Sequence, residues 1–132
     1  MKKTVFMDRY PVCSIEFLKS EMRCSSTKEV VEYFKGKIAS HPVAEFIAVF
    51  DHYAHTKKLN GPIMDGLLDA QNVVFCFGQA IPDTKILAVR PRSIGICEFE
   101  DKIVIDFMEP PKEELNKVMQ DWTKGLKLVT IS

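Results

Sequence analysis

Residues 44–50 read Ala44-Glu45-Phe46-Ile47-Ala48-Val49-Phe50 and end abruptly in the polar stretch Asp51-His52-Tyr53-Ala54-His55. Both faces of an extended chain would be largely apolar here. The run therefore predicts a β-strand that is central in a sheet and is covered on at least part of both sides. A second apolar run, Val73-Val74-Phe75-Cys76-Phe77, stops at Gly78 and predicts another strand. Together the two runs predict a fold built around a sheet.

The segment before this run predicts a strand and then a helix. Residues 12–22 alternate partly between apolar and polar side chains, which favours a strand. Ser26-Thr27-Lys28-Glu29 has the form of a capping box, in which a hydroxyl and a carboxylate satisfy free amide groups at a helix start. Apolar residues then follow at helical spacing up to Ile38. We expect the helix to end near Ser40, because the Pro42 ring disfavours helical backbone at the residue before it.

The segment after the two apolar runs predicts a hairpin and a final helix. Ile94–Phe99 and Ile103–Met108 flank the short polar stretch Glu100-Asp101-Lys102, as two strands joined by a tight loop would. Pro110-Pro111 closes the hairpin, and proline is tolerated at a helix start. One apolar face of the predicted helix consists of Leu115, Val118, Met119, Trp122 and Leu126.

This order of elements predicts an α+β fold. We expect residues 1–132 to form a single domain, a two-layer sandwich in which two main helices cover one face of a mostly antiparallel sheet. The second face also carries apolar residues, as Ile47 and Val49 indicate. Exposed apolar patches of several hundred Å² are uncommon on monomers, so we expect a homodimer.

Composition narrows the function classes. Lys plus Arg and Asp plus Glu both number 18, so the formal charge is zero and a nucleic-acid partner is not expected. The basic stretch Arg90-Pro91-Arg92 is interpreted as a solvated loop. No apolar run is long enough to span a bilayer or to serve as a secretory signal, which predicts a cytoplasmic protein with no membrane partner. The four cysteines have no CxxC spacing and are expected to be free, buried thiols.

The middle of the chain resembles the bacterial and archaeal family called domain of unknown function 302. In that family an apolar strand ends in Asp-His, a second apolar strand ends in Phe-Gly, and a Thr lies in the loop that follows. The corresponding positions here are Asp51-His52, Phe77-Gly78 and Thr84, followed by the predicted strand pair and Pro110. The resemblance implies an α+β fold that often self-associates, and it implies no established reaction.

The most polar cluster beside a predicted strand is Asp51, His52 and His55. A histidine oriented by an aspartate could shuttle protons as a general acid or base. The simpler alternatives are that Asp51 caps the following turn and that both histidines lie on the surface. Metal binding by His52 and His55 is a weaker alternative, since a third ligand, Asp51 or Cys76, would also be needed. We therefore predict no catalytic and no metal-binding residues.

The loop after the second predicted strand is the other candidate. Gly78 permits close backbone approach, and Gln79 and Thr84 supply polar groups to a ligand that would also contact Asp51 if the two strands are neighbours. A turn without a ligand is the alternative. Cys76 and Cys97 lie within apolar runs, where burial suppresses thiol reactivity, and are interpreted as core residues rather than nucleophiles.

The leading hypothesis is a small-ligand-binding or accessory protein without catalytic activity. Its ligand-binding residues would be Asp51, His52, His55, Gly78, Gln79 and Thr84. One alternative is an enzyme with an Asp51-oriented His52 as acid or base, and another is a protein-interaction module on the uncovered sheet face. No motif identifies a cofactor or the ligand.

Overall fold

A computed structural model describes residues 1–128, which contain one six-stranded sheet and three α-helices. The strands are β1 (Lys2–Phe6), β2 (Tyr10–Leu18), β3 (Ala44–Asp51), β4 (Asp69–Phe77), β5 (Arg92–Glu98) and β6 (Lys102–Met108), and the helices are α1 (Thr27–Ala39), α2 (His52–Lys58) and α3 (Glu113–Lys124). The strand order is β1-β2-β6-β5-β4-β3, and every neighbouring pair is antiparallel. The predicted α+β class is confirmed.

The two long helices cover one face of the sheet, as the sequence predicts. Alternate residues of β4, Val73, Phe75 and Phe77, are buried and point toward the helices, while the residues between them face the other way. Phe34 of α1 and Trp122 of α3 belong to the same buried cluster as these strand residues. The Phe77 and Trp122 rings stack with centroids 5.5 Å apart. The core therefore lies between one sheet face and α1 with α3.

The local signals for α1, the hairpin and α3 are confirmed. Ser26 is the N-cap of α1, and its Oγ accepts a hydrogen bond from the backbone N–H of Glu29 at 3.3 Å. The helix ends at Ala39, one residue before the predicted end. Strands β5 and β6 form the predicted antiparallel pair, and α3 begins at Glu113, just after the two prolines.

The prediction that residues 44–50 form a central strand is wrong. Strand β3 is an edge strand that pairs only with β4 among the described residues, and Ile47 and Phe50 are 51% and 44% exposed. A bulge between Phe46 and Ala48 interrupts its register. An apolar run indicates that a segment favours burial, but it does not indicate which strands pair with it, since strand pairing depends on distant parts of the chain. The edge therefore presents apolar side chains to solvent.

Two elements were not predicted. Strand β1 is exposed along its whole length, so it lacks the alternation of buried and exposed side chains that marks a half-buried strand. Helix α2 has seven residues, too few for a helical periodicity to emerge. The predicted strand over residues 12–22 is observed as β2, and a short 3₁₀ turn over Lys19–Glu21 follows it. Within residues 1–128, no helix is both long enough and apolar enough to cross a membrane.

Candidate functional site

The predicted ligand-binding residues lie in two groups at opposite ends of the sheet. Strands β3 and β4 are neighbours, as the shared-ligand hypothesis required, but they are antiparallel. Asp51 therefore lies opposite Gln71 at the start of β4, and Gly78 follows Phe77 at its end. Six residues of extended chain separate these points, about 20 Å at the usual rise of a strand. One small ligand does not contact both groups.

The first group, Asp51, His52 and His55, is called the histidine corner. The Asp51 carboxylate caps α2 by accepting a hydrogen bond from the Ala54 N–H at 2.9 Å. Nδ1 of His52 lies 3.2 Å from Oδ1 of Asn72 on β4. Both imidazole rings lie with centroids 5.4 Å from the Phe50 ring. The simpler alternative for Asp51, a turn cap, is therefore what the structure contains.

The chemistry open to the histidine corner follows from these contacts. The side chain within hydrogen-bonding distance of His52 is the Asn72 amide, not the Asp51 carboxylate. An amide holds the ring in position, but it is not the aspartate partner that the acid–base alternative requires. Asp51, His52 and His55 are all exposed to solvent. Among the described residues, no three His, Cys, Asp or Glu side chains are arranged to hold a metal ion.

The second group begins at Gly78, whose backbone φ of +116° is one that residues with a side chain rarely adopt. Its N–H donates to the Val43 carbonyl at 3.0 Å, and the Arg90 guanidinium packs against its Cα. Arg90 Nη1 donates to the Ala80 carbonyl at 2.6 Å. Gly78 is therefore required here both by its backbone conformation and by the close approach of Arg90.

Gln79 and Thr84 follow in the same loop. Gln79 is exposed and lines an open depression of about 380 Å³ together with Gly78, Ile81 and Arg90. Thr84 begins a short 3₁₀ turn, and its Oγ1 donates to Oδ1 of Asp83 at 3.4 Å. Thr84 does not line this depression. The structure thus places Gly78 and Gln79 on one surface and Thr84 beside it.

A smaller cavity of about 40 Å³ lies between this loop, the end of β4 and the start of α3, and is called the arginine cavity. Its walls are apolar except for three cationic side chains, and no Asp or Glu lines it. Arg90 lines both this cavity and the open depression. The lining residues are Phe77, Ile86, Val89, Arg90, Arg92, Pro110, Pro111, Lys112 and Leu115.

Arg92 is the most unusual group in the cavity wall. Its side chain is 7% exposed, and its guanidinium donates from Nη1 to the Val89 carbonyl at 3.0 Å and from Nη2 to the Met108 carbonyl at 2.5 Å. Its Nε–H is buried and has no hydrogen-bond partner in the described part of the chain. Burial lowers the pKa of Arg92 below its usual value. Since arginine keeps its proton in proteins, a buried positive charge remains, which has two carbonyl partners but no Asp or Glu beside it in the cavity wall.

The interpretation of Arg90-Pro91-Arg92 as a solvated loop is wrong for Arg92. Arg92 is the first residue of β5, and it has the same parity as the buried residues Ile94 and Ile96. Side chains two residues apart on a strand point to the same face, so Arg92 points toward the core. The alternation of apolar residues at Ile94 and Ile96 is visible in the sequence. Whether Arg92 continues it depends on where the strand begins, which only the structure shows.

The cysteines differ in part from the prediction. All four are free thiols, and Cys13 and Cys24 are buried as expected. Cys76 and Cys97 are only partly buried, because they lie on the sheet face away from α1 and α3. Cys76 lines the open depression rather than the core. Desolvation raises the pKa of the Cys97 thiol, which disfavours the reactive thiolate.

Comparison with known proteins identifies a family. A family described as "Family of unknown function (DUF6858)" matches residues 1–128. No curated protein matches the chain, and no solved structure does. The resemblance to domain of unknown function 302 is therefore wrong. Its key dipeptides serve general needs, since Asp51 caps a helix and Phe77 fills the core, and such needs recur in unrelated families.

Proposed function

The chain belongs to the family of unknown function DUF6858, and from this premise we propose that it binds a small ligand and catalyses no reaction. The ligand lies at the end of the sheet where β4 finishes, in the arginine cavity and beside Gly78 and Gln79. The observation that carries the proposal is the Arg92 guanidinium, which is buried in the cavity wall without a charged partner in the described residues.

The types of side chain at this site support binding over catalysis. Apolar walls with a few polar groups are typical of small-molecule sites. Guanidinium and ammonium groups bind negative charge, but they hold their protons near neutral pH and so serve poorly in acid–base exchange. The predicted roles of Gly78 and Gln79 belong to the adjoining depression, and the role of Thr84, which lines neither space, stays a prediction. The ligand-binding roles of Asp51, His52 and His55 stay a prediction for a separate site.

The second part of the proposal is that the protein acts as a cytoplasmic homodimer built from single-domain chains. Two features support self-association: β3 leaves its outer edge unpaired within residues 1–128, and Ile47 and Phe50 on it are exposed. Exposed sheet edges readily pair with another chain. Four free thiols are consistent with a reducing compartment.

A thermal-shift screen tests ligand binding. The full chain is heated with members of a library of small anionic, neutral and cationic metabolites. A ligand at one hundred times its Kd stabilises by about 2.7 kcal/mol, so we expect at least one compound to raise Tm by several degrees. Ile86→Phe, which fills the arginine cavity, should remove the shift. The matched control His52→Ala, at the other end of the sheet, should retain it.

Three outcomes would contradict the proposal. A library without any stabilising compound would argue against small-ligand binding. A shift that disappears in His52→Ala and persists in Ile86→Phe would move the site to the histidine corner. Conversion of a stabilising compound by the protein, followed by mass spectrometry, would contradict the absence of catalysis.

A further inference from the structure

The buried charge of Arg92 indicates what the arginine cavity can bind. A guanidinium has five N–H groups in one plane. Two of them donate to the Val89 and Met108 carbonyls, which leaves three, including the unpartnered Nε–H. A carboxylate accepts two parallel N–H bonds from such a plane, and the ionised pair bonds more strongly than neutral groups do. The Nε–H itself is shielded from the cavity, so the feature that favours an anion there is the buried charge of Arg92, which lines the cavity with no Asp or Glu beside it.

The cavity walls select the remainder of the ligand. Phe77, Val89, Pro110 and Leu115 present apolar surface, and the small cavity, about 40 Å³, favours a short chain over a bulky one. A tetrahedral dianion such as phosphate needs hydrogen-bond donors around its whole surface. An aliphatic carboxylate needs donors only at its charged end, because the rest of the molecule is apolar. A short aliphatic chain carrying a carboxylate fits both the walls and the single buried cation.

Two further features at the cavity rim favour negative charge. Lys112 lines the rim and is exposed. It is also the N-cap of α3, and its side chain makes no capping hydrogen bond. The first N–H groups of a helix carry partial positive charge and attract anions. Glu113 and Glu114 in the first turn of α3 oppose this attraction, but neither lines the cavity.

We propose that the arginine cavity binds the carboxylate of a free short-chain aliphatic acid, with the Arg92 guanidinium as the group that binds its charge and Lys112 as a second cation at the rim. The inference rests on the proposed small-ligand function and names the ligand class. It gives Arg92 a function in ligand binding in addition to its hydrogen bonds to the two backbone carbonyls.

Calorimetric titration of the full chain with butanoate tests the assignment, with butanamide as a matched neutral probe. Butanoate should bind the wild-type protein, and butanamide should bind about tenfold to a hundredfold more weakly because it lacks the charge. Arg92→Met keeps the length of the side chain without its charge and should abolish butanoate binding. The control Arg9→Met removes an exposed arginine in the β1–β2 turn and should bind butanoate as the wild type does.

If Arg92→Met fails to fold, the comparison of butanoate with butanamide on the wild-type protein still decides the question. Lys112→Gln, at the exposed rim, is the second variant and should bind butanoate more weakly than the wild type does. Equal binding of acid and amide would overturn the inference while leaving the small-ligand function in place. Binding of inorganic phosphate but not of butanoate would also overturn the inference alone. So would tighter binding of N-acetylvaline, a mimic of a peptide C-terminus, than of butanoate. Failure of every probe, together with an empty thermal-shift screen, would overturn both.

Discussion

At the scale of single residues, the Glu98 carboxylate joins parts of the chain that are far apart in sequence. Its carboxylate accepts hydrogen bonds from the Thr27 N–H at 2.7 Å and the Thr27 hydroxyl at 2.8 Å, 71 residues away in sequence. The Lys19 ammonium donates to its other oxygen at 3.0 Å. Burial raises the pKa of Glu98, but these three bonds outweigh burial and bring the pKa below the usual 4.5. The charged form is therefore stabilised by folding.

Glu98→Gln should lower the free energy of unfolding at pH 7 by about 1–3 kcal/mol, because a bond to a charged acceptor becomes a neutral one. The folded pKa lies below the unfolded one. The contribution of Glu98 is therefore fully present above the usual value of 4.5 and is lost as pH falls through the folded pKa. Urea unfolding at pH 7 and at pH 3 measures this, and the difference between wild type and variant should shrink at the lower pH.

The exposed Glu100 provides a matched control for Glu98. Glu100→Gln should change stability by no more than about 0.5 kcal/mol at either pH. A Glu98→Gln variant with a pH-independent deficit would mean that the carboxylate acts through packing rather than through its charge.

At the scale of elements, α1 has two separate N-terminal caps. Ser26 accepts the N–H of Glu29 through its side chain, a contact within the local sequence. Glu98 accepts the N–H of Thr27 from the end of β5. The first N–H groups of a helix lack partners within the helix, so each cap satisfies a different donor. Helix α1 is thereby fixed both by its own sequence and by the sheet beneath it.

Ser26→Ala should destabilise the protein by about 1 kcal/mol, the usual cost of losing a serine N-cap. Ser20→Ala, at an exposed serine in the 3₁₀ turn, is the control and should be close to neutral. Thermal unfolding of the three proteins at one pH separates the effects. Equal stability of Ser26→Ala and wild type would indicate that the Glu98 contact alone is enough to begin the helix.

At the scale of the whole molecule, one sheet face and one sheet edge lack the cover that α1 and α3 give the other face. The uncovered face mixes half-buried apolar residues, such as Val74 and Val104, with polar ones such as Asn72 and Asp106. The β3 edge is more apolar, since Ile47, Val49 and Phe50 are all exposed. Pairing of β3 with β3 of a second copy would join two sheets and cover this edge.

Light scattering coupled to size-exclusion chromatography should give a mass twice that of the 15.1 kDa chain. Ile47→Lys places a charge on the β3 edge and should shift the equilibrium to monomer. Met64→Lys, at a comparably exposed apolar residue in the loop before β4, should remain dimeric. A wild-type monomer at high concentration would rule out self-association, and dissociation by Met64→Lys alone would place the interface elsewhere.

The sequence by itself determined the elements whose signals are local. The capping serine and the helical spacing after it predicted α1. The polar stretch at Glu100 predicted the β5–β6 hairpin, and the apolar face that includes Trp122 predicted α3. The α+β class followed from the order of these elements. Each of these signals arises from contacts between residues that are close in sequence, so it is visible as a local sequence pattern.

Only the tertiary structure decided which residues meet. The antiparallel pairing of β3 with β4 separates Asp51 from Gly78, although both follow apolar runs of similar appearance. Strand order places residues 44–50 at an edge, and the start of β5 turns Arg92 inward beneath the loop. Such positions depend on the free energy of packing segments that are far apart in the chain, and no local pattern encodes which distant partner a strand will choose.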